Sequence, residues 1–411
     1  MSIKEAKKLF RSITNISDDI IESAQTVSAQ ERRKMGSRVK WGAAAACLCL
    51  AAVSASLIER FRVPQQTDFT APEAIVIPEL WADGMGFEGY MCYDISELNN
   101  GNPWSENMDI TALPVYKNGA YDASGAGIPI GLSEEEMTER LKMAVDALNL
   151  EVLSTEVITD GFPENYSDTA AETGPAEILA ATDNGAVHVL ADGRISYFLP
   201  DEGLALPEEY HFTYYDTTEE EAENVLSYLI ASYRELLDSE LLAFEEPKAV
   251  TSGDYNIYGE FHRSYRVYDA SGDALEDILN FNFRYADFLP SHTGTLWGIQ
   301  ITDGLLLAEK LGDYPIITVE EAKERLIAGN YQTTVPAAFS GEEYIGKVEL
   351  VYRTGRLEEI LLPYYRFYVL LTDAGSETAD ENGLKTYGAY YVPAIADKYI
   401  VNLPVYDGAS R

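Results

Sequence analysis

The residues able to do chemistry are few and scattered along this chain. Only four histidines and three cysteines occur in 411 residues, and none of the histidines has the short spacing of a zinc site or stands beside a cysteine pair. The chain also lacks the G-x-S-x-G turn of serine hydrolases and the glycine-rich phosphate loops of nucleotide-binding proteins. We therefore predict that the protein is not an enzyme and that it uses no metal and no cofactor.

Carboxylates are abundant, and their number makes any single pair uninformative. With 68 Asp and Glu in the chain, two carboxylates can always be imagined opposite each other, so a glycosidase-type pair has no support. The segment 269–277 resembles a calcium loop faintly, because Asp269, Ser271, Asp273 and Asp277 surround a glycine. It departs from the EF-hand spacing and lacks the terminal glutamate. A polar turn joining two strands is the preferred interpretation.

Tyrosine provides the candidate for a ligand face. The chain has 28 tyrosines and 14 phenylalanines, which suggests sheets with half-wet faces, because tyrosine buries its ring and keeps its hydroxyl hydrated. Two tyrosine-rich segments, 363–369 and 387–395, could present an aromatic face to an extracellular ligand. Paired edge strands are the alternative explanation. The candidate ligand-face residues are Tyr364, Tyr365, Arg366, Tyr368, Tyr390 and Tyr391.

An uncharged segment at residues 41–58 predicts how the protein is anchored. Eighteen helical residues reach about 27 Å, close to the hydrocarbon thickness of a bilayer. A basic run precedes the segment, which favours a cytoplasmic N-terminus. We expect a single-pass protein of the cell membrane with its large C-terminal region outside the cytoplasm. The alternative is a signal peptide cleaved near Val53-Ser54-Ala55, which would release an exported envelope protein.

Charge divides the chain at the same place. Residues 1–62 contain eleven Lys and Arg against six Asp and Glu, a balance of +5, whereas the remaining residues contain nineteen against sixty-two, a balance of −43. So acidic a region repels nucleic-acid phosphates, and we exclude nucleic acid as its partner. Only Cys92 lies beyond the apolar segment, so this region forms no internal disulfide and depends on packing for its stability.

The first forty residues carry a pattern of their own. Apolar residues recur there at steps of three and four, which predicts one or two short amphipathic helices. Their apolar face is a candidate docking site for a cytoplasmic regulatory protein, because so short a segment cannot bury that face alone. The membrane surface is the alternative cover. The docking candidates are Leu9, Phe10, Ile13, Ile16, Ile20 and Ile21.

Three helices are predicted by one repeated signal. Ser133 with Glu136, Thr218 with Glu221, and Thr318 with Glu321 each form a capping box, in which a hydroxyl and a carboxylate satisfy each other's free backbone N–H groups. Alternating β-branched and aromatic runs lie between and after these helices, among them "ILNFNFRY" at residues 278–285. Asp192-Gly193 predicts a hairpin with a two-residue turn that has positive φ at both central positions.

These elements predict an α+β fold class, with a single N-terminal transmembrane helix followed by antiparallel sheets, each covered by a capped helix. The predicted organisation is a cytoplasmic amphipathic segment at 1–40, a transmembrane helix at 41–58, a linker with the first strands at 59–126, and two extracytoplasmic α+β modules at 127–245 and 246–411.

The segments "ITNISDDIIESA", "KWGAAAACLCL" and "YGAYYVPAI" together resemble uncharacterised single-pass membrane proteins of Gram-positive gut bacteria. More distantly, "ITVEEAKERL" followed by "LPYYRFYV" is similar to PepSY-like and YycI-like extracytoplasmic domains, over residues 315–400 only. That resemblance implies a role in restraining peptidases or regulating sensor kinases. The layout also resembles that of anti-sigma factors, although the H-x-x-x-C-x-x-C of their zinc-containing type is absent.

The sequence thus favours a membrane-anchored protein that senses or binds something at the cell surface, in a regulatory role similar to that of anti-sigma or sensor-modulating proteins. The alternative from another class is an exported protein that acts as a surface-binding module or as an unrecognised hydrolase.

Overall fold

The computed structural model describes residues 72–78, 91–93, 95, 100–123, 130–159, 175–200, 203–255, 260–335, 337–372 and 383–406. The strands within them are β1 (Met91–Tyr93), β2 (Ala112–Lys117), β3 (Val152–Ile158), β4 (Glu177–Thr182), β5 (Gly185–Leu190), β6 (Ile195–Phe198), β7 (Pro247–Val250), β8 (Gly253–Tyr255), β9 (Phe261–Arg263), β10 (Arg266–Asp269), β11 (Arg284–Pro290), β12 (Leu296–Asp303), β13 (Glu309–Pro315), β14 (Ile345–Tyr352), β15 (Ile360–Leu361), β16 (Pro363–Leu370) and β17 (Lys385–Pro393).

The described helices are short. They are α1 (Glu134–Ala147), α2 (Glu219–Ser232), α3 (Arg234–Leu237), α4 (Ala274–Phe283) and α5 (Val319–Ile327). All three predicted capping boxes are confirmed, at the starts of α1, α2 and α5, with both the side-chain and the backbone half of each box present. The local signal was sufficient here because an N-cap satisfies backbone groups only a few residues away.

The largest sheet has eight antiparallel strands in the order β3-β4-β5-β6-β12-β11-β10-β7. One face packs against α1 and α2 through residues that alternate along each strand, such as Val187 and Val189 on β5 and Ile299 and Ile301 on β12, all buried. The other face carries the polar members of the same alternation. We call it the polar face of the large sheet.

Two smaller antiparallel sheets complete the described fold. A six-stranded sheet has the order β14-β16-β17-β1-β8-β9, and a three-stranded sheet has the order β13-β2-β15. Helix α5 packs on the six-stranded sheet, where Leu326 joins Phe367 and Tyr390 in a buried cluster. The three-stranded sheet contributes Leu113 and Val115 to two neighbouring clusters of the core.

The predicted fold class is wrong. The described chain is mostly sheet, with three antiparallel sheets and five helices, instead of successive α+β units. The physical reason is the pairing of β6 with β12, which joins strands far apart in sequence into one eight-stranded sheet. That sheet takes four strands from each side of residue 245. None of the five described helices exceeds 14 residues.

The predicted transmembrane helix at residues 41–58 lies outside the described residues. Among the residues that are described, no helix has the length and apolar character needed to cross a membrane.

Three local predictions were also wrong in detail. The hairpin at Asp192-Gly193 forms between β5 and β6, but Leu190 bonds with Arg194 across a three-residue loop, and only Gly193 has positive φ. The run at 278–285 is not a strand throughout, since α4 continues to Phe283. The polar segment before it does not join two strands, because the Asp273 carboxylate accepts from two backbone N–H groups and starts α4.

Candidate functional site

A cleft of about 520 Å³ opens on the polar face of the large sheet. Its floor is formed by side chains of β10, β11 and β12, and its far wall by the loops that follow β2 and β14. These loops are tied together, because the Asn118 side chain donates to the carbonyl oxygens of Gly355 and Glu358 at 2.9 and 2.8 Å. The Asp122 N–H also donates to the Arg356 carbonyl oxygen at 2.7 Å. The wall is therefore held in place by backbone contacts.

Strand register lines up the polar floor. Arg266, Asp287, Gln300, Ser196 and His188 lie directly opposite one another on five neighbouring strands. Because side chains alternate between the two faces of a sheet, directly opposite residues share one face. The result is a polar row that crosses the sheet and enters the cleft at its β10 end.

One ion pair fixes the deep end of the cleft. The Arg266 guanidinium donates two hydrogen bonds to the Asp287 carboxylate, at 2.8 and 3.1 Å, and lies over the Tyr285 ring at 3.5 Å from its centroid. Burial opposes the charge of Arg266, but the adjacent Asp287 carboxylate outweighs it and raises the pKa of the guanidinium. Such a two-pronged pair is geometrically specific and holds both side chains rigid.

The other two carboxylates of the cleft are also compensated. Asp192 accepts from the Arg194 side chain at 2.7 Å. Asp303 lies 3.9 Å from the Arg284 guanidinium. It also attracts the Arg140 side chain of α1, and this opposes the lowering of the Arg140 pKa by burial. Each acid of the cleft therefore has a cation beside it.

One cation and two neutral side chains of the cleft are not engaged by other described side chains. Arg356 is exposed on the loop that follows β14. Among the described residues, no carboxylate pairs with its side chain. The side chains of Gln300 and Thr302 are half-buried on the floor and make no hydrogen bond to other described residues. The cleft therefore offers one guanidinium that no described carboxylate pairs, together with amide and hydroxyl groups that are available to a ligand.

The tyrosines of the predicted ligand face are buried and divided between two faces of the six-stranded sheet. Tyr364, Arg366, Tyr368 and Tyr391 share one face, whereas Tyr365 and Tyr390 lie on the face covered by α5. The Tyr365 hydroxyl donates to the Ile317 carbonyl oxygen at 2.8 Å, and burial raises the pKa of Tyr365 to about 12. The structure does not bring these six side chains together on one surface.

Arg366 binds a buried carboxylate within the protein. Glu349 is only 2% exposed and accepts from Arg366 at 2.6 Å, from the Tyr368 hydroxyl at 3.1 Å and from Asn100 at 2.6 Å. Lys347 lies 2.6 Å from the same carboxylate. Burial would raise the pKa of Glu349, but the two cations outweigh it and lower the pKa. This cluster stabilises the interior and leaves Arg366 little freedom to meet a ligand.

The histidines and the carboxylates near them do not converge on a site. His188 contacts the Glu177 carboxylate and packs edge-on against Phe198, while His211 lies 3.0 Å from Asp216 on a different segment. Within the described ranges, no three residues among His, Cys, Asp and Glu are grouped closely enough to hold a metal ion. The predicted docking residues of the first forty positions lie outside the described residues.

Sequence reasoning missed the cleft, although part of its signal was present. Polar residues alternate with buried apolar ones in "RYADFLP" and "GIQITD", a period that places Tyr285, Asp287, Gln300 and Thr302 on one face of their strands. The order of the strands in the sheet, which sets these residues beside one another, has no local signature. Arg356 lies in a loop and has no periodic signal.

No family model matches this chain, and no curated protein is significantly similar to it. The resemblances described from the sequence therefore stay predictions.

Proposed function

We propose that this protein is a non-enzymatic binding protein of the cell envelope, and that it senses a small anionic ligand in the cleft on the polar face of the large sheet. The observation that carries the proposal is the Arg356 guanidinium, which no described carboxylate pairs. Every described acid in the cleft is already compensated, so a ligand carboxylate or phosphate would complete the pairing.

The charge of the whole chain gives this site its specificity. The protein carries a net charge of −38, so most of its surface repels anions. A cleft whose three aspartates are matched by three arginines, one of them unpaired by any described carboxylate, is where an anion would be retained. Gln300 and Thr302 on the floor would bind polar groups of the same ligand, since neither side chain is engaged by another described residue.

The location at the envelope rests on the sequence alone. The basic run at residues 32–40, directly before the apolar segment, supports a cytoplasmic N-terminus and a large region outside the cytoplasm. The regulatory role also rests on the sequence alone. In this proposal, the predicted docking face of residues 1–40 passes the ligand signal to a cytoplasmic protein.

A thermal-shift experiment on the purified full chain tests the proposal. The probes are inorganic phosphate, acetate, succinate and citrate, with glucose as an uncharged probe. A ligand that binds only the folded state at about 100 times its Kd stabilises it by about 2.7 kcal/mol. We expect at least one anionic probe to raise the Tm of the wild type, and glucose to leave it unchanged.

Two matched variants assign any shift to the cleft. Arg356→Ala removes this guanidinium and should abolish the response, whereas Lys142→Ala removes an exposed cation of α1 outside the cleft and should preserve it. Equal responses in both variants would show that the anions act through general electrostatics. Stabilisation by glucose alone would show that the ligand is not an anion, although the cleft could still be a binding site. The absence of any response would overturn the proposal for these ligands.

A further inference from the structure

The described residues leave one edge of the large sheet open. β3 ends the eight-stranded order, and within the described part of the chain it pairs only with β4. Six of its seven residues are exposed, and they include Leu153 at 66% and Val157 at 40%. Natural sheets usually protect such an edge with lysine, proline, a bulge or a very short strand. β3 has a bulge at its start, between Val152 and Ser154, and is regular beyond it. β3 contains neither lysine nor proline, and its one charged residue is Glu156.

The direction of the free backbone groups follows from the pairing with β4. The Ile158 carbonyl oxygen accepts from the Ala176 N–H, so the backbone groups of Ile158 face β4. Because these groups alternate along a strand, those of Val157 and Thr155 face the open edge. The register with β4 is regular from Ser154 to Ile158, and the bulge lies at the other end of the strand, between Val152 and Ser154.

We infer that this edge pairs with the same edge of a second copy of the chain, antiparallel and centred on Thr155. The sequence of β3, VLSTEVI, complements itself in that register. In the regular part of the strand, Ser154 lies opposite Glu156 and Thr155 lies opposite its own copy. Beyond it, the apolar residues at the bulge, Val152 and Leu153, lie beside the apolar end of the partner strand, Val157 and Ile158. Apolar residues meet apolar residues, and the two Glu156 carboxylates are not opposite each other.

The backbone agrees with this register. A two-fold axis at Thr155 requires its N–H and C=O to face the partner, and these are the groups that face the open edge. The pairing would join two eight-stranded sheets into one continuous sheet.

The side chains that the pairing would cover lie beside the existing core. Val157 is opposite Ile178, which is buried on the helix-covered face of the sheet. Val152 is opposite Thr182, which shares that face of β4, and helix α1 packs on β4 and β5. Val152 and Val157 therefore lie on the same face as α1 but beyond its cover. In the pair, these two side chains and their copies would form one apolar cluster across the two-fold axis.

Net charge opposes this association and supplies a test of it. Two copies that each carry −38 repel each other, and salt screens that repulsion within a Debye length of about 8 Å at physiological ionic strength. Pairing through an apolar edge should therefore increase as salt is added, whereas an association held by ion pairs would decrease.

Disulfide trapping on the full chain tests the register directly. In a background with Cys47, Cys49 and Cys92 changed to serine, Thr155→Cys places two sulfurs across the axis. Directly opposite residues of a hydrogen-bonded pair have Cα atoms about 5.5 Å apart, within the range of roughly 4.4–6.8 Å that a disulfide spans. We expect Thr155→Cys to run at twice the chain mass on a non-reducing gel, more completely at higher salt.

Two further variants make the result specific. Glu156→Cys is the matched control, because its copies would lie diagonally, about 7–8 Å apart or more, and should cross-link much less. Adding Val157→Asp to Thr155→Cys should remove most of the cross-linked band. A chain that stays monomeric with Thr155→Cys, as when its own residues 160–174 cover the edge, would overturn the inference. Equal cross-linking at positions 155 and 156 would overturn it too. This inference does not depend on the cleft or its ligand.

Discussion

Glu349 and Arg366 lie directly opposite each other on β14 and β16, and their side chains form a buried ion pair at 2.6 Å. Removing one member of a buried pair leaves the other charge without compensation, which costs roughly 3–5 kcal/mol. We predict that Glu349→Gln lowers the free energy of unfolding by about 3 kcal/mol, measured by urea denaturation. The control is Glu324→Gln, which changes an exposed glutamate of α5 and should leave the free energy of unfolding nearly unchanged. Equal effects of Glu349→Gln and Glu324→Gln would contradict a structural role for the Glu349–Arg366 pair.

The same carboxylate predicts how stability depends on pH. The pKa of Glu349 is lowered in the folded protein, so the unfolded state binds the proton more readily. The contribution of this pair is complete above the unfolded-state pKa of about 4.3 and is lost as the pH falls through the lower folded-state pKa. The difference in Tm between the wild type and Glu349→Gln should therefore shrink below about pH 4. A Tm difference that grows on acidification would show that the pKa of Glu349 is raised, and not lowered, in the folded protein.

The confirmed caps predict small, independent losses. Thr318→Ala removes the hydroxyl that accepts from the Glu321 N–H at 3.2 Å at the start of α5, and an N-cap contributes about 1 kcal/mol. We expect a loss of that size by chemical denaturation, and a similar one for Thr218→Ala at α2. Thr138→Ala, inside α1 and exposed, serves as the control and should change stability by less than about 0.5 kcal/mol. Loss of ligand binding without loss of stability would contradict a purely structural role for the caps.

What the sequence could predict depends on how far apart the interacting residues are. The boxes at Ser133, Thr218 and Thr318 were predicted correctly, because each involves groups within one turn of a helix. Residues 278–283 are predicted to be part of a strand because their apolar residues alternate, but they form the second half of a helix that the Asp273 cap starts within the predicted turn.

The pairing of strands that are far apart in the chain could not be predicted from the sequence. The large sheet depends on β6 meeting β12, and the cleft depends on that sheet facing the loop of Arg356. Alternation shows which side chains of a strand share a face, but it does not show which strands are neighbours. The tyrosines were singled out by composition, and their burial on both faces of one sheet follows from pairing that composition does not contain.

Two glycines allow the steric cost of an added side chain to be distinguished from the conformational cost of a positive φ. Gly185 has φ of +101°, and a Cβ there would lie 2.1 Å from the Phe198 carbonyl oxygen, whereas Gly329 has φ of +82° with no atom within 4 Å of such a Cβ. Both variants to alanine carry the backbone penalty of about 1–2 kcal/mol. We predict that Gly185→Ala destabilises clearly more than Gly329→Ala, measured as the difference in Tm. Equal losses would mean that the β5 turn relaxes away from Phe198.

The last prediction concerns the pair at the deep end of the cleft. Arg266 and Asp287 are partly exposed, with side-chain exposures of 30% and 19%, so solvent weakens their interaction relative to a fully buried pair. The two-pronged geometry and the stacking on Tyr285 oppose that weakening. We therefore expect a coupling energy of about 1–2 kcal/mol in a double-mutant cycle of Arg266→Met, Asp287→Asn and their combination.

The matched comparison is the exposed pair of Arg234 and Asp238 on one face of a helical turn. It should give a coupling of only about 0.3–0.5 kcal/mol, because both side chains are well solvated. Added salt should weaken the exposed pair more than the cleft pair, since screening acts chiefly on charges in contact with solvent. If both cycles give the same small coupling, Arg266 is not fixed by Asp287. In that case its guanidinium belongs with Arg356 among the cations available to an anionic ligand.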